Sequence, residues 1–158
     1  MKRITALLAL AGTLLAPGAS AATDSPTTPV RAFIAAFDKG DAAAARATHE
    51  SGDVTIMDEV PPHIWQGAHA FDQWLTSLAA YDKAHGRTGG NVALSAPRVV
   101  TVEGNRGYVV APAVYTFAAN GRPMREPATM TFAVHRGAAG WKIAGWSWNG
   151  TVPTPAGK

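Results

Sequence analysis

The hydrophobic period changes once along this chain, near Gly89 and Gly90, and that change limits the folds open to it. Ahead of it, apolar residues recur at helical spacing. Val30, Phe33, Ile34 and Phe37 form one stripe, and Phe71, Trp74, Leu75, Leu78 and Tyr81 form another. Beyond it the period is two. Residues 92–102 (interrupted by Pro97), 108–117, 128–135 and 141–148 read as strands. Asn120 and Gly121 mark a hairpin turn, since both accept the positive φ such turns need. Helices followed by a meander of strands predict an α+β fold, a curved antiparallel sheet wrapped around three N-terminal helices.

Local signals place the boundaries. Thr28 reads as an N-cap with Pro29 in the first helical position, Gly40 closes that helix, and Asp41 caps a short alanine-rich helix ending near Thr48. Between the second and third helices lies 53–67, a short strand running into Asp58 and Glu59. Pro61-Pro62 breaks it, and a loop carrying His63 and Trp65 ends at Gly67.

Lys2 and Arg3 precede an apolar run over 4–16, with small residues at Ala19, Ser20 and Ala21. This predicts a signal peptide at 1–21 and an exported chain, periplasmic or secreted, with no membrane contact once the signal is removed. Residues 22–27 are expected to form a flexible mature N-terminus, 28–149 a single domain and 150–158 a flexible tail. Cysteine is absent, which excludes disulfides, thiolate metal sites and a cysteine nucleophile. Two of the 14 Lys and Arg lie in the signal, so the mature chain is nearly balanced against 11 Asp and Glu. Arg98, Arg106, Arg122, Arg125 and Arg136 are scattered, whereas nucleic-acid binding wants a clustered basic face. His49, His63, His69, His85 and His135 show no metal-ligand spacing, and neither a metal nor a cofactor is expected.

The candidate site is the end of the first strand. A carboxylate there becomes a general base when an apolar wall raises its pKa. Asp58 is placed for this role, with Phe33, Phe37, Trp65 and Trp74 as the wall and His63 or Tyr115 as proton donor. Glu59 alternates to the other face and is expected in solvent. Trp146 and Trp148 share the face opposite Trp141 and Ile143, so they are expected on the open side of the sheet, as a homodimer interface first and for ligand stacking second.

The segment 35–41, the strand 53–58, Trp65-Gln66-Gly67 and the terminal Gly140-Trp141-Lys142-Ile143 occur in a familiar order. Over 28–148 the chain resembles the nuclear-transport-factor-2-like superfamily, which includes ketosteroid isomerase and SnoaL-like polyketide cyclases. The resemblance implies a cone-shaped fold, often paired through the sheet, with a pocket between helices and sheet. It places Asp58 where ketosteroid isomerase has its base and Phe33 where it has its oxyanion tyrosine. Its second oxyanion group, a protonated aspartate, corresponds to Thr129 or Met130, and Met130 thereby joins the pocket-lining residues. The cyclases' late-sheet acid has no counterpart except Glu126, near a hairpin end. Three readings stay open: a module binding a small, largely apolar molecule, a proton-transfer enzyme using Asp58, and a dimeric interaction module using the open sheet face.

Overall fold

The computed structural model describes residues 24–157; the predicted signal peptide and the start of the segment after it lie outside the described residues. Helix α1 spans Thr27–Asp38 and α2 spans Ala42–Ala47. Gly40 takes φ +70° between them, and the Asp41 side chain accepts the Ala44 N–H at 2.9 Å, as an N-cap should. Strands β1 (Val54–Met57) and β2 (Ile64–Gly67) form a hairpin, then α3 spans Ala70–Ala84. Five more strands follow: β3 Arg87–Leu94, β4 Val99–Glu103, β5 Arg106–Ala119, β6 Arg122–Gly137 and β7 Gly140–Gly150, with a short β8 at Thr154–Pro155.

The sheet order is β2-β1-β7-β6-β5-β3, with β4 beside β5 and β8 beside β6. Three features differ from the sequence reading. The expected antiparallel sheet is mixed, because β1 pairs with β7 in parallel. The loop expected at 64–67 is strand β2. The tail is held along β6: Thr151 N–H donates to Pro127 O and Ala156 N–H to Pro123 O, each at 3.0 Å. Pro97 separates β3 from β4, and both lie along the same edge of β5.

The core lies between the helices and the concave sheet face. Val109, Ala113, Tyr115 and Phe117 of β5 and Met130, Phe132 and Val134 of β6 are buried there in strict alternation. Asn120 and Gly121 both take positive φ, and the tight turn fixes the register that puts Tyr115 opposite Glu126. Phe33 joins this core to α3, with ring centroids 6.3 Å from Phe71 and Trp74 and 5.6 Å from Trp146.

In β7 the alternation is broken once. Ala133 pairs with Gly145 but Val134 pairs with Ile143, which leaves Ala144 as an extra residue. Such a bulge turns all later side chains to the opposite face. Trp146 and Trp148 therefore point inward with Trp141 and Ile143, and Trp146 is only 4% exposed. The expectation that these two tryptophans form an outer interface is overturned.

Candidate functional site

Beneath α1 and α3, the inner sheet face leaves a cavity of about 50 Å³ lined by Phe33, Phe37, Asp58, Trp74, Tyr115, Met130 and others. A single water needs roughly 10–15 Å³ of such space. The cavity as it stands thus suits a molecule of a few heavy atoms.

Asp58 follows the last residue of β1, where the chain turns away from the sheet. The turn is closed by Asp58 N–H donating to His63 O at 3.1 Å and His63 N–H donating to Val60 O at 2.8 Å. It aims the Asp58 carboxyl under α3, where Trp74 Nε1–H donates to Oδ2 at 2.7 Å and Val60 N–H donates to Oδ1 at 3.2 Å. Burial raises the Asp58 pKa; the Trp74 and backbone hydrogen bonds and the Arg87 charge act against that rise.

Four further expectations are sorted by the geometry. Phe37, Phe33, Trp74, Tyr115 and Met130 line the cavity with Asp58. Trp65 does not: it is buried, and its indole N–H donates to Ser77 Oγ at 3.3 Å, so it belongs to the packing beneath α3. His63 is exposed, and its ring contacts the Asp58 backbone oxygen at 3.3 Å, away from the carboxyl. Glu59 is exposed, as expected, but stands at the cavity's edge with its Oε1 3.6 Å from Arg87 Nη1. The chain has left the pleat at that point, so strand alternation no longer governs it.

Two buried groups went unrecognised in the sequence. Glu126 is fully buried, and its Oε1 accepts the Trp148 indole N–H at 2.9 Å. No N–H or hydroxyl donor reaches its other oxygen, Oε2, and the carboxyl shares a hydrogen bond with that of Glu59. Burial pushes the Glu126 pKa up to about 7, with the Trp148 bond opposing and both the charge of Glu59 and the hydrogen bond with its carboxyl adding. The signal was present: Tyr115 was placed inward, and Asn120-Gly121 fixes Glu126 directly across from it on the same face. His49 is the second. Its Nε2 accepts the Trp146 indole N–H at 3.1 Å while Nδ1 lies 3.0 Å from Ala45 O, an arrangement that suits a neutral ring with its proton on Nδ1. Burial lowers its pKa to about 4.

Arg87 is the cavity's cation. Its guanidinium lies 4.9 Å from the Tyr81 ring centroid and 4.6 Å from that of Phe117. Tyr115 is pushed up to about 12 by burial first and then by the Asp82 charge, so its hydroxyl keeps its proton. No cluster of three or more His, Asp or Glu suited to a metal ion occurs among the described residues.

No family description and no curated protein sequence matches the chain. Solved structures do. A ketosteroid isomerase-like protein from Erwinia carotovora atroseptica superposes with a TM-score of 0.65 at 16% identity, covering 85% of this chain and 99% of its own. A nuclear transport factor 2-like superfamily protein from Salmonella enterica serovar Typhimurium gives 0.65 at 16%, covering 84% and 92%. LinA gives 0.68 at 13%, covering 84% and 87%.

Proposed function

We propose that this chain, which has the nuclear-transport-factor-2-like cone fold, binds a small organic molecule in the cavity between α1, α3 and the inner sheet face. The observation that carries this reading is the presence of desolvated carboxyls around an aromatic-walled cavity. Burying a carboxyl costs several kcal/mol unless it is paired, and packed hydrophobic residues in its place are often more stable. Asp58 and Glu126 are kept in spite of that cost. Small-molecule sites have this composition: aromatic walls and a few placed polar groups.

Native mass spectrometry of the protein from its own source should reveal a co-purifying small molecule. Adding that molecule back should raise the midpoint of thermal unfolding as RT ln(1 + [L]/Kd) requires. A protein with no bound species, and no stabilisation by any member of a small-molecule panel, would count against a binding role.

A second reading is favoured by Glu126. Phe33 and Met130 supply no oxyanion donor, but a carboxyl whose pKa lies near 7 is a proton donor at neutral pH. Asp58 would then move a proton on the bound molecule with Glu126 as its acidic counterpart. Exchange of solvent deuterium into the bound molecule, abolished in Asp58→Asn, is the expected sign; exchange that survives the substitution contradicts it.

A further inference from the structure

We propose that β4 is an interface strand: its free edge pairs antiparallel with β4 of a second copy of this chain, joining two sheets into one. Neither the cavity nor its occupant enters into this contact.

Apolar surface is concentrated on this strand. Seven large apolar side chains are exposed among the described residues, and four of them lie here: Val99, Val100 and Val102 of β4, with Tyr108 across from Thr101 on β5, at 42–48% exposure. Val100 lies opposite the buried Val109 and shares its inner face, whereas Val99 lies opposite Val110 on the outer face. Apolar side chains on both faces are the pattern of a strand inside a sheet. Yet β4 lies at the rim.

The backbone there is free to pair. Glu103 and Arg106 face each other across a two-residue turn, which requires that they exchange both backbone hydrogen bonds. Such pairs alternate along an antiparallel ladder, so Thr101 and Val99 bond β5 in the same way, and Val100 and Val102 turn their N–H and C=O groups to the free edge. Strand β3, on the same side of β5, has its edge met by α1, where Asp38 Oδ1 accepts the Val92 N–H at 2.8 Å. Among the described residues nothing meets the edge of β4 in this way. Exposed edges are ordinarily blunted by lysine or proline, and 99–103 contains neither.

Charge identifies the occupant. Arg98 precedes the strand and Glu103 ends it; both are exposed, and neither makes an ion pair among the described residues. Two copies of β4 related by a two-fold axis run antiparallel. Matching Val100 to Val102 of the second copy then brings Arg98 of each toward Glu103 of the other, so the edge is complementary to itself. In-register parallel pairing would set like charges side by side at both ends. An interface of five-residue strands falls in the small class, below about 1,200 Å², whose members associate weakly. The dimer should therefore come apart on dilution.

Sedimentation velocity of the purified protein from micromolar to millimolar concentration should show monomer passing to dimer. As the dimer forms, amide exchange at Val100 and Val102 should slow, while Val99 and Thr101, already bonded to β5, keep their rates. Val102→Lys, at an exposed position, should weaken dimerisation at least tenfold. Glu103→Arg should weaken it severalfold, and combining it with Arg98→Glu should restore it, which a loss of folding would not do. A monomer at every concentration overturns the proposal. So does a dimer that survives Val102→Lys but is lost in Thr131→Arg, on the outer face of β6 between the buried Met130 and Phe132, since that places the contact on the face of the sheet. Failure of the double charge reversal to restore the dimer overturns the antiparallel arrangement.

Discussion

At Glu126, a strand residue near a hairpin in the sequence becomes a buried acid in the fold. Its raised pKa has a consequence for stability that can be worked out in sign. A carboxyl with a folded pKa of about 7, against an ordinary 4.5, contributes fully below pH 4.5, and that contribution is lost as pH rises toward 7. Glu126→Gln keeps the shape and an acceptor for the Trp148 indole but does not titrate. Between pH 4.5 and 7 the variant should lose roughly 1–2 kcal/mol less stability than the parent, the full shift being discounted for water reaching the cavity. Asp58 and Asp82, raised by burial as well, leave it a residual decline. On the acid side His49, held at about 4 against an ordinary 6.5, costs both proteins stability as pH falls from 6.5 through 4. Urea denaturation at each pH measures this, and parallel curves for parent and variant would contradict the burial of Glu126. Glu126 was legible in principle, through its cross-strand relation to Tyr115. For Glu59 the exposure was legible and the place beside Arg87 was not: that is set by a turn between Asp58 and His63, and periodicity says nothing about side chains outside a pleat.

The bulge in β7 does most to build the cavity among the secondary elements. Without Ala144 as an extra residue, Trp146 and Trp148 would stand on the outer face, and the cavity would lose both indoles. Period-two counting places them there because nothing in Ile143-Ala144-Gly145 announces a bulge. The neighbouring Gly145 makes a further contribution. A Cβ at this position would lie 2.7 Å from Thr55 O, so glycine is what allows β1 to lie against β7. Since β1 carries Asp58 at its end, Gly145→Ala should destabilise the fold by about 2 kcal/mol and loosen the Asp58–Trp74 hydrogen bond. Thermal unfolding together with the indole N–H resonance of Trp74 measures both effects. An unchanged melting temperature and an unshifted resonance would show that β1 is not held by that contact. The helices, by comparison, were readable from their apolar stripes and from the Asp41 cap, which are local signals, while the first starts at Thr27 behind Pro26 and not behind a Thr28 cap. The β1–β7 pairing joins residues about ninety positions apart, and no local signal encodes it.

At the scale of the whole molecule, sheet and helices close on a small aromatic space in which polar groups have been retained. The order of elements and the change of hydrophobic period made an α+β fold with helices on one face of a curved sheet legible from the sequence, and the family resemblance supplied the cone shape. The cavity was legible only in part. Phe33, Phe37, Trp74, Tyr115 and Met130 were placed correctly on the inner side, whereas Trp148, Glu59 and Arg87 arrive through the bulge, the turn and the β3–β5 pairing. The four methionines of the chain offer a direct probe of whether this space receives a molecule. Met130 is buried in the cavity wall at 2% exposure, and Met57 lies outside it at 48% exposure. Methyl spectra of protein labelled with 13C at its methionine methyls, recorded during a titration with the small molecule that co-purifies with it, should show the Met130 resonance shifting to saturation while that of Met57 stays in place. A Met130 resonance that does not move, or equal and unsaturating shifts at both sites, would contradict the account.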